Sequence, residues 1–204
     1  MTPEDFHYLS SIDVVVDGDC KIKVLDNHID RTGAVNSSSC IDPVKLAEMN
    51  QRYHPIMMSY MRGLAPAKAS LYTHSEFHIV LSRDGYSHPI HDDTPNKLLS
   101  CVVYLGPEQN LGTYLYRAND ADQLEKIVEW KPNRALLFAR RNQETWHSYA
   151  SLPDAKRLTL VYNLMTAHAG SASVVEGMRP VDVTSFKVRS KLKKMLGVET
   201  PLLK

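Results

Sequence analysis

The chain has 204 residues, enough for one domain with a sizeable core and too few for two of ordinary size. Hydrophobic residues make up 43% and charged residues 23%, and 24 basic side chains against 23 acidic ones leave a formal charge of +1, so no basic excess points to nucleic acid or a membrane surface. Cys20, Cys40 and Cys101 are odd in number and stand at no metal-knuckle spacing, no signal-like stretch follows the acidic start, and no segment reaches the roughly 18 to 20 apolar residues that span a bilayer; a reduced, cytoplasmic protein is expected.

Residues 12–16 and 21–25 are β-branched runs around Asp17-Gly18-Asp19-Cys20, a pattern that predicts a hairpin. Residues 31–40, rich in Ser, Asn and Gly, read as a loop. Asp42 then offers an N-cap with Pro43 in the first turn, and Val44, Leu46, Met49, Tyr53, Ile56, Met57 and Tyr60 recur at helical spacing. One amphipathic helix over about residues 43–62 is predicted, lying on a sheet with its methionines in the core. From residue 76 onward the pattern is that of short strands: 77–82, 98–105, 112–116, 127–130, 134–139, 148–150 and 157–165. Many short strands with turn residues between them imply a sandwich or barrel. The expected fold is therefore α+β: a single domain over 1–204, with a jelly-roll (cupin-like) core at about 76–165 and a hairpin and helix within 1–75. Residues 184–204 read as a short basic helix with a solvated charged face.

The densest polar stretch is Ser87-His88-Pro89-Ile90-His91-Asp92-Asp93. His91 and Asp93 stand two apart, so on an extended chain they face one side, while Asp92 is left to solvent or a supporting hydrogen bond. A distant His147 lies in Glu144-Thr145-Trp146-His147-Ser148-Tyr149, and Arg157 opens the last apolar strand ten residues later. Singly, such residues are more often surface or hydrogen-bonded groups, and nine histidines make some coincidence expected. Together, two imidazoles and a carboxylate suit a divalent metal that keeps open positions. Strand alternation sets Arg157, Thr159, Val161 and Asn163 on one face, turns Lys156 the other way, and aligns Ser100, Val102 and Tyr104. His88 reads as an exposed loop histidine, with the mouth of the pocket as its alternative place.

In order and spacing, the chain resembles the Fe(II)/2-oxoglutarate-dependent oxygenases of the prolyl-hydroxylase-like type. The resemblance rests on His91-Asp92-Asp93, residues 96–105, 112–116 and 133–138, Trp146-His147, and residues 157–163, and spans about 77–165. It implies a double-stranded β-helix core in which His91, Asp93 and His147 bind Fe(II). Arg157 would pair with the distal carboxylate of 2-oxoglutarate, a role that a planar guanidinium fork suits. Tyr104, Thr159 and Asn163 are further candidates for contact with that cosubstrate. The implied reaction consumes dioxygen and 2-oxoglutarate, releases succinate and carbon dioxide, and hydroxylates a C–H bond of a small-molecule, amino-acid-derived or protein side-chain substrate. The carboxylate at Asp93 favours hydroxylation over halogenation. The chain departs from many relatives at Asn110-Leu111-Gly112-Thr113, where they carry paired glycines, so its substrate is not read from theirs. Two other readings stay open: a cupin-like metal protein that does not use 2-oxoglutarate, with Arg157 in a structural ion pair, and a non-catalytic jelly-roll binding module.

Overall fold

The strands assemble into two antiparallel sheets that build an α+β jelly-roll, seen in a computed structural model that describes residues 1–177. The predicted tail helix at 184–204 lies outside the described residues. The larger sheet is centred on β4 (His74–Ser82), β6 (Lys97–Gly106) and β11 (Arg157–Met165), with β9 (Ala135–Ala139) beside β6. Its other edge carries β1 (Ile22–Leu25), β2 (Asn27–Asp30) and β3 (Val35–Ser38). The smaller sheet runs β5 (Ser87–His91), β10 (Trp146–Ala150), β7 (Thr113–Tyr116), β8 (Leu124–Val128).

Alternation splits the larger sheet into two chemistries. Phe77, Ile79 and Leu81, Leu99, Cys101 and Val103, and Leu158, Leu160, Tyr162 and Leu164 all belong to one apolar cluster, and Phe77 and Tyr162 stack with centroids 4.0 Å apart. That face is covered by helix α2 (Pro43–Leu64), which buries Leu46, Met49, Met57 and Met61 at the spacing a helix needs to present one stripe. Asp42 caps it, its Oδ1 accepting from the Val44 and Lys45 amides at 3.0 Å each. The helix on the sheet is as predicted.

The first forty residues differ from the sequence reading. Residues 3–10 form helix α1 (Pro3–Ser10), whose buried Asp5 accepts from Tyr53 at 2.6 Å and pairs with Arg52 and Lys45, locking α1 onto α2. The predicted hairpin does not form. Residues 12–16 run outside any strand, with Val14 buried in the core, while β1 pairs with β4 (Ile22 opposite Ser82) and β2 takes the next stretch of the same edge (His28 opposite Glu76). The long edge of β4 is thus the better partner for residues 22–25. Within the predicted loop 31–40, residues 35–38 form β3, held by pairing with β2 despite polar side chains.

Candidate metal centre and its buried arginine

Two strands of the smaller sheet bring the histidines together. His91 ends β5 directly opposite His147 on β10, and their rings lie 4.2 Å apart by centroid. Asp93 follows two residues beyond the end of β5, and one ligand atom from each of His91, Asp93 and His147 falls within 4.8 Å of the others. Each imidazole is oriented by the backbone: Nδ1 of His91 meets the Pro89 carbonyl at 3.0 Å and Nδ1 of His147 the Thr145 carbonyl at 2.9 Å. A carbonyl oxygen only accepts, so Nδ1 is the donor in both rings and the Nε2 lone pairs are free. Burial, with the nearby His147 and His88, pushes His91 down to about 3, which keeps that ring neutral and able to ligate.

The carboxylate is equally committed. Burial alone would raise Asp93, but the Lys97 ammonium 2.7 Å from Oδ1 and the flanking imidazoles hold it well below the usual carboxylate range. Ser100 Oγ donates to its other oxygen at 3.2 Å. Asp92, which alternation turned away from the ligands, ties the two ligand-bearing segments together. It accepts from Thr145 Oγ1 at 2.7 Å, the Gln143 amide at 2.9 Å and Arg140 Nη2 at 3.3 Å, while Arg140 Nε donates to the Asp93 carbonyl at 2.8 Å. Arg140 and Lys68 in turn pair with Glu176, just past helix α3 (Ala169–Val175).

Arg157 opens β11 on the face of the larger sheet that looks onto these residues and is only 2% exposed. Its guanidinium sits in an aromatic frame, 4.6 Å from the Tyr149 ring centre, 5.2 Å from Trp130 and 5.6 Å from Tyr104. Nε donates to the Leu111 carbonyl at 3.4 Å. Burial lowers the group to about 10, with only Tyr149 and Tyr104 working in the other direction, and no acidic side chain among the described residues pairs with it. A buried cation without an anion is costly unless a ligand supplies one. Tyr149 stands two residues after His147 on β10, so the arginine and the ligand cluster are separated by roughly 7 Å along the strand.

The other sequence-derived candidates divide. Tyr104 and Thr159 face each other across β6 and β11, next to Arg157. The Tyr104 hydroxyl is bonded to Thr113 Oγ1 at 2.8 Å and the Val128 carbonyl at 3.2 Å, and Thr159 Oγ1 reaches the Val80 carbonyl at 3.5 Å. Asn163, six residues along β11 from Arg157, sits instead opposite Ser100, near Asp93. The structure therefore groups Tyr104 and Thr159 with Arg157 and separates Asn163 from them.

Sequence reasoning missed Tyr149, Trp130 and His88. Tyr149 was findable, sharing a strand face with His147. Trp130 lies past the end of β8, where no alternation rule applies, and stacks on Tyr104 at 4.5 Å. His88 is not an exposed loop residue: it packs edge-on to His91 at 4.3 Å, stacks on Tyr149 at 5.2 Å, and burial pushes it down to about 4. Three residues apart, His88 and His91 should face opposite ways, but the register slips between them, with Tyr149 opposite His88 and His147 opposite His91. This bulge turns both rings inward. Behind the arginine, Gly112 is wedged against β8: a Cβ there would sit 1.9 Å from the Val128 carbonyl oxygen and 3.1 Å from the Trp130 amide.

No protein-family model and no curated protein matches the chain. Among solved structures it is similar to a prolyl-4-hydroxylase from Pseudomonas putida, at 14% identity and a TM-score of 0.50, covering 80% of this chain and 83% of that one. It is also similar to IDO from Bacillus thuringiensis, at 13% identity and a TM-score of 0.52 over 79% and 78% of the two chains. A bsmA homolog from Methylobium petroleophilum matches at 13% identity and a TM-score of 0.54, covering 81% of this chain and 83% of the other. No described helix is long and apolar enough to cross a membrane. At these identities the likeness is one of fold: the chain shares the architecture of these proteins, and on that architecture it sets a two-histidine, one-carboxylate cluster able to hold a metal ion.

Proposed function

We propose that the protein is an Fe(II)- and 2-oxoglutarate-dependent oxygenase that hydroxylates a C–H bond of a small, amino-acid-derived molecule or of a protein side chain. The observation that carries this reading is the buried Arg157 guanidinium, without an acidic partner among the described residues, on the interior face that looks onto the ligand cluster. A short dicarboxylate with one end at Arg157 and the other at the metal satisfies both. It also leaves little support for Arg157 as a structural ion-pair residue.

The donor set fits iron. Two Nε2 lone pairs fixed by backbone acceptors and one ionised carboxylate are the ligands of a facial triad, and His91, Asp93 and His147 would hold the ion. Iron, 2-oxoglutarate and dioxygen supply the oxidising chemistry when bound. The chain's own part is placement. Arg157 takes the distal carboxylate through its planar fork, Thr159 and Tyr104 border that carboxylate, and the Tyr149 and Trp130 rings exclude water from it. Phe138, with its ring 5.0 Å from His147, would form an apolar wall beside that ligand. The name of the Pseudomonas putida neighbour, a prolyl-4-hydroxylase, accords with this chemistry.

Anaerobic titration with Fe(II) and then 2-oxoglutarate tests the proposal. A weak visible charge-transfer band is expected on addition of 2-oxoglutarate, and its absence from correctly folded, iron-loaded protein would overturn the reading. Arg157→Ala should weaken 2-oxoglutarate binding and spare the metal; equal loss of both contradicts the role assigned to it.

A further inference from the structure

The interior face of the larger sheet continues beyond the metal cluster. Register places Ser100 on β6, Asn163 on β11, Glu76 on β4 and His28 on β2 side by side in one row. Directly opposed residues of antiparallel strands project to the same side. Because Ser100 Oγ touches Asp93, that side is the one facing the ligand cluster. With strands about 4.8 Å apart, Glu76 stands roughly 10 Å from Ser100.

Two members of the row lack partners that the fold should have provided. Asn163 is fully buried, yet neither its amide nitrogen nor its amide oxygen has a hydrogen-bond partner among the described residues. Buried amides are nearly always paired, so an orphan of this kind points to a missing ligand. Glu76 uses one oxygen: Oε2 meets His78 Nε2 at 2.8 Å. Among the described residues its Oε1 has no hydrogen bond, flanked at longer range by His74 Nε2 at 3.8 Å and His28 Nδ1 at 3.9 Å, and the side chain is 15% exposed. Burial pushes this carboxyl up, but the neighbouring His74 and His78 rings outweigh it and keep the group ionised.

We infer that Glu76 and Asn163 form the substrate-anchoring subsite of the metal centre and take a protonated primary amine carried on a molecule of amino-acid size; this rests on the oxygenase reading above. The chemistry of the lining selects the ligand. An ammonium group offers three donors and no acceptor. The subsite presents acceptors at the free Glu76 oxygen and the Asn163 oxygen, beside a carboxylate whose other oxygen is held by His78, itself shared with Asp26. The Asn163 NH2 is left to donate to an oxygen of the same molecule. The separation of roughly 10 Å, reduced by the side chains that reach across it, suits a ligand whose reacting carbon lies a few bonds from its nitrogen. A substrate without an N–H or O–H donor at this point would leave the second Glu76 oxygen and the Asn163 oxygen unpaired.

Calorimetric titration of the full chain, loaded anaerobically with Fe(II), tests this with L-lysine, L-isoleucine and 1,4-diaminobutane, each paired with its N-acetylated form. The series is run with and without 2-oxoglutarate, whose own binding is read separately; a failure there counts against the oxygenase reading and leaves the amine comparison intact. At least one amine should bind, its acetylated form at least tenfold more weakly, and Glu76→Gln should weaken that amine at least tenfold with 2-oxoglutarate affinity within twofold of wild type. Glu76→Asp should recover part of the loss. Equal binding of amine and acetylated form, no binding of any amine, or no effect of Glu76→Gln overturns the inference. So does a second equivalent of Zn(II) that wild type binds and Glu76→Gln loses, since that outcome assigns the histidine-rich cluster to a metal. If Glu76→Gln fails to fold by circular dichroism, the wild-type amine comparison decides.

Discussion

The two faces of the larger sheet are built from the same strands and answer to different demands. On the outer face Phe77, Leu99, Leu160 and Tyr162 are buried among apolar neighbours and carry the stability of the molecule. On the inner face, one residue further along each strand, stand Arg157 without an acid and Asn163 without a hydrogen bond among the described residues, and this face looks onto the two imidazoles and the carboxylate carried by the smaller sheet and the segment after β5. Such features cost folding free energy. The contrast teaches that the helix-covered face offsets what the interior face spends on being ready for ligands, so the two faces should respond to substitution in opposite ways.

The largest expected effect is on the inner face. His147→Ala should abolish iron binding at micromolar metal while leaving the circular dichroism spectrum and the metal-free melting temperature nearly unchanged. Persistent turnover in metal-depleted Asp93→Ala would show the ligand set to be wrong. On the outer face, Phe77→Ala should cost about 3–5 kcal/mol in denaturant unfolding through the cavity it leaves, without changing metal affinity in the folded fraction. A loss below about 1 kcal/mol would mean that the helix-covered layer is not the stabilising one. Asp92→Asn should weaken metal binding by about 10- to 100-fold, because it loosens the tie between the two ligand segments without touching a ligand. The smallest effect, and the sharpest test of the contrast, is Arg157→Met. Removing a buried, unpaired cation should leave stability within about 1 kcal/mol of wild type or raise it, in the absence of 2-oxoglutarate. A loss of several kcal/mol would mean that the aromatic frame depends on the guanidinium.

The comparison also explains which parts were legible in the sequence. Strands β4, β6 and β11 are long apolar runs buried along most of their length, and helix α2 presents one apolar stripe, so pattern and packing agree. The N-terminal region lacks that agreement. Residues 12–16 are as β-branched as a strand, but pairing depends on which edge is available, and that edge is set by β4, some sixty residues away. Helix α1 did carry a local signal, with Thr2 accepting from the Asp5 amide and Pro3 in the first turn. Of the candidate cluster, His91 and Asp93 were readable as a pair two residues apart, whereas His147 was singled out by the order and spacing of the resemblance. His88 was not readable, because the slip in β5 breaks the two-residue rule that gives a sequence its faces. Trp130 and the free oxygen of Glu76 depend on contacts between distant strands, which no local pattern encodes.

Gly112 sets a limit on how this pocket can be remodelled. With the Val128 carbonyl 1.9 Å from where a Cβ would stand, even alanine must push β7 away from β8, and with them Thr113, which holds the Tyr104 hydroxyl, and Trp130, which frames the arginine. The wall on that side is fixed by the absence of a single methyl group. A mutational library meant to change what the protein accepts should therefore leave residues 110–113 alone and vary the opposite rim, along β2 and β4, where the side chains are long, polar and partly open to solvent.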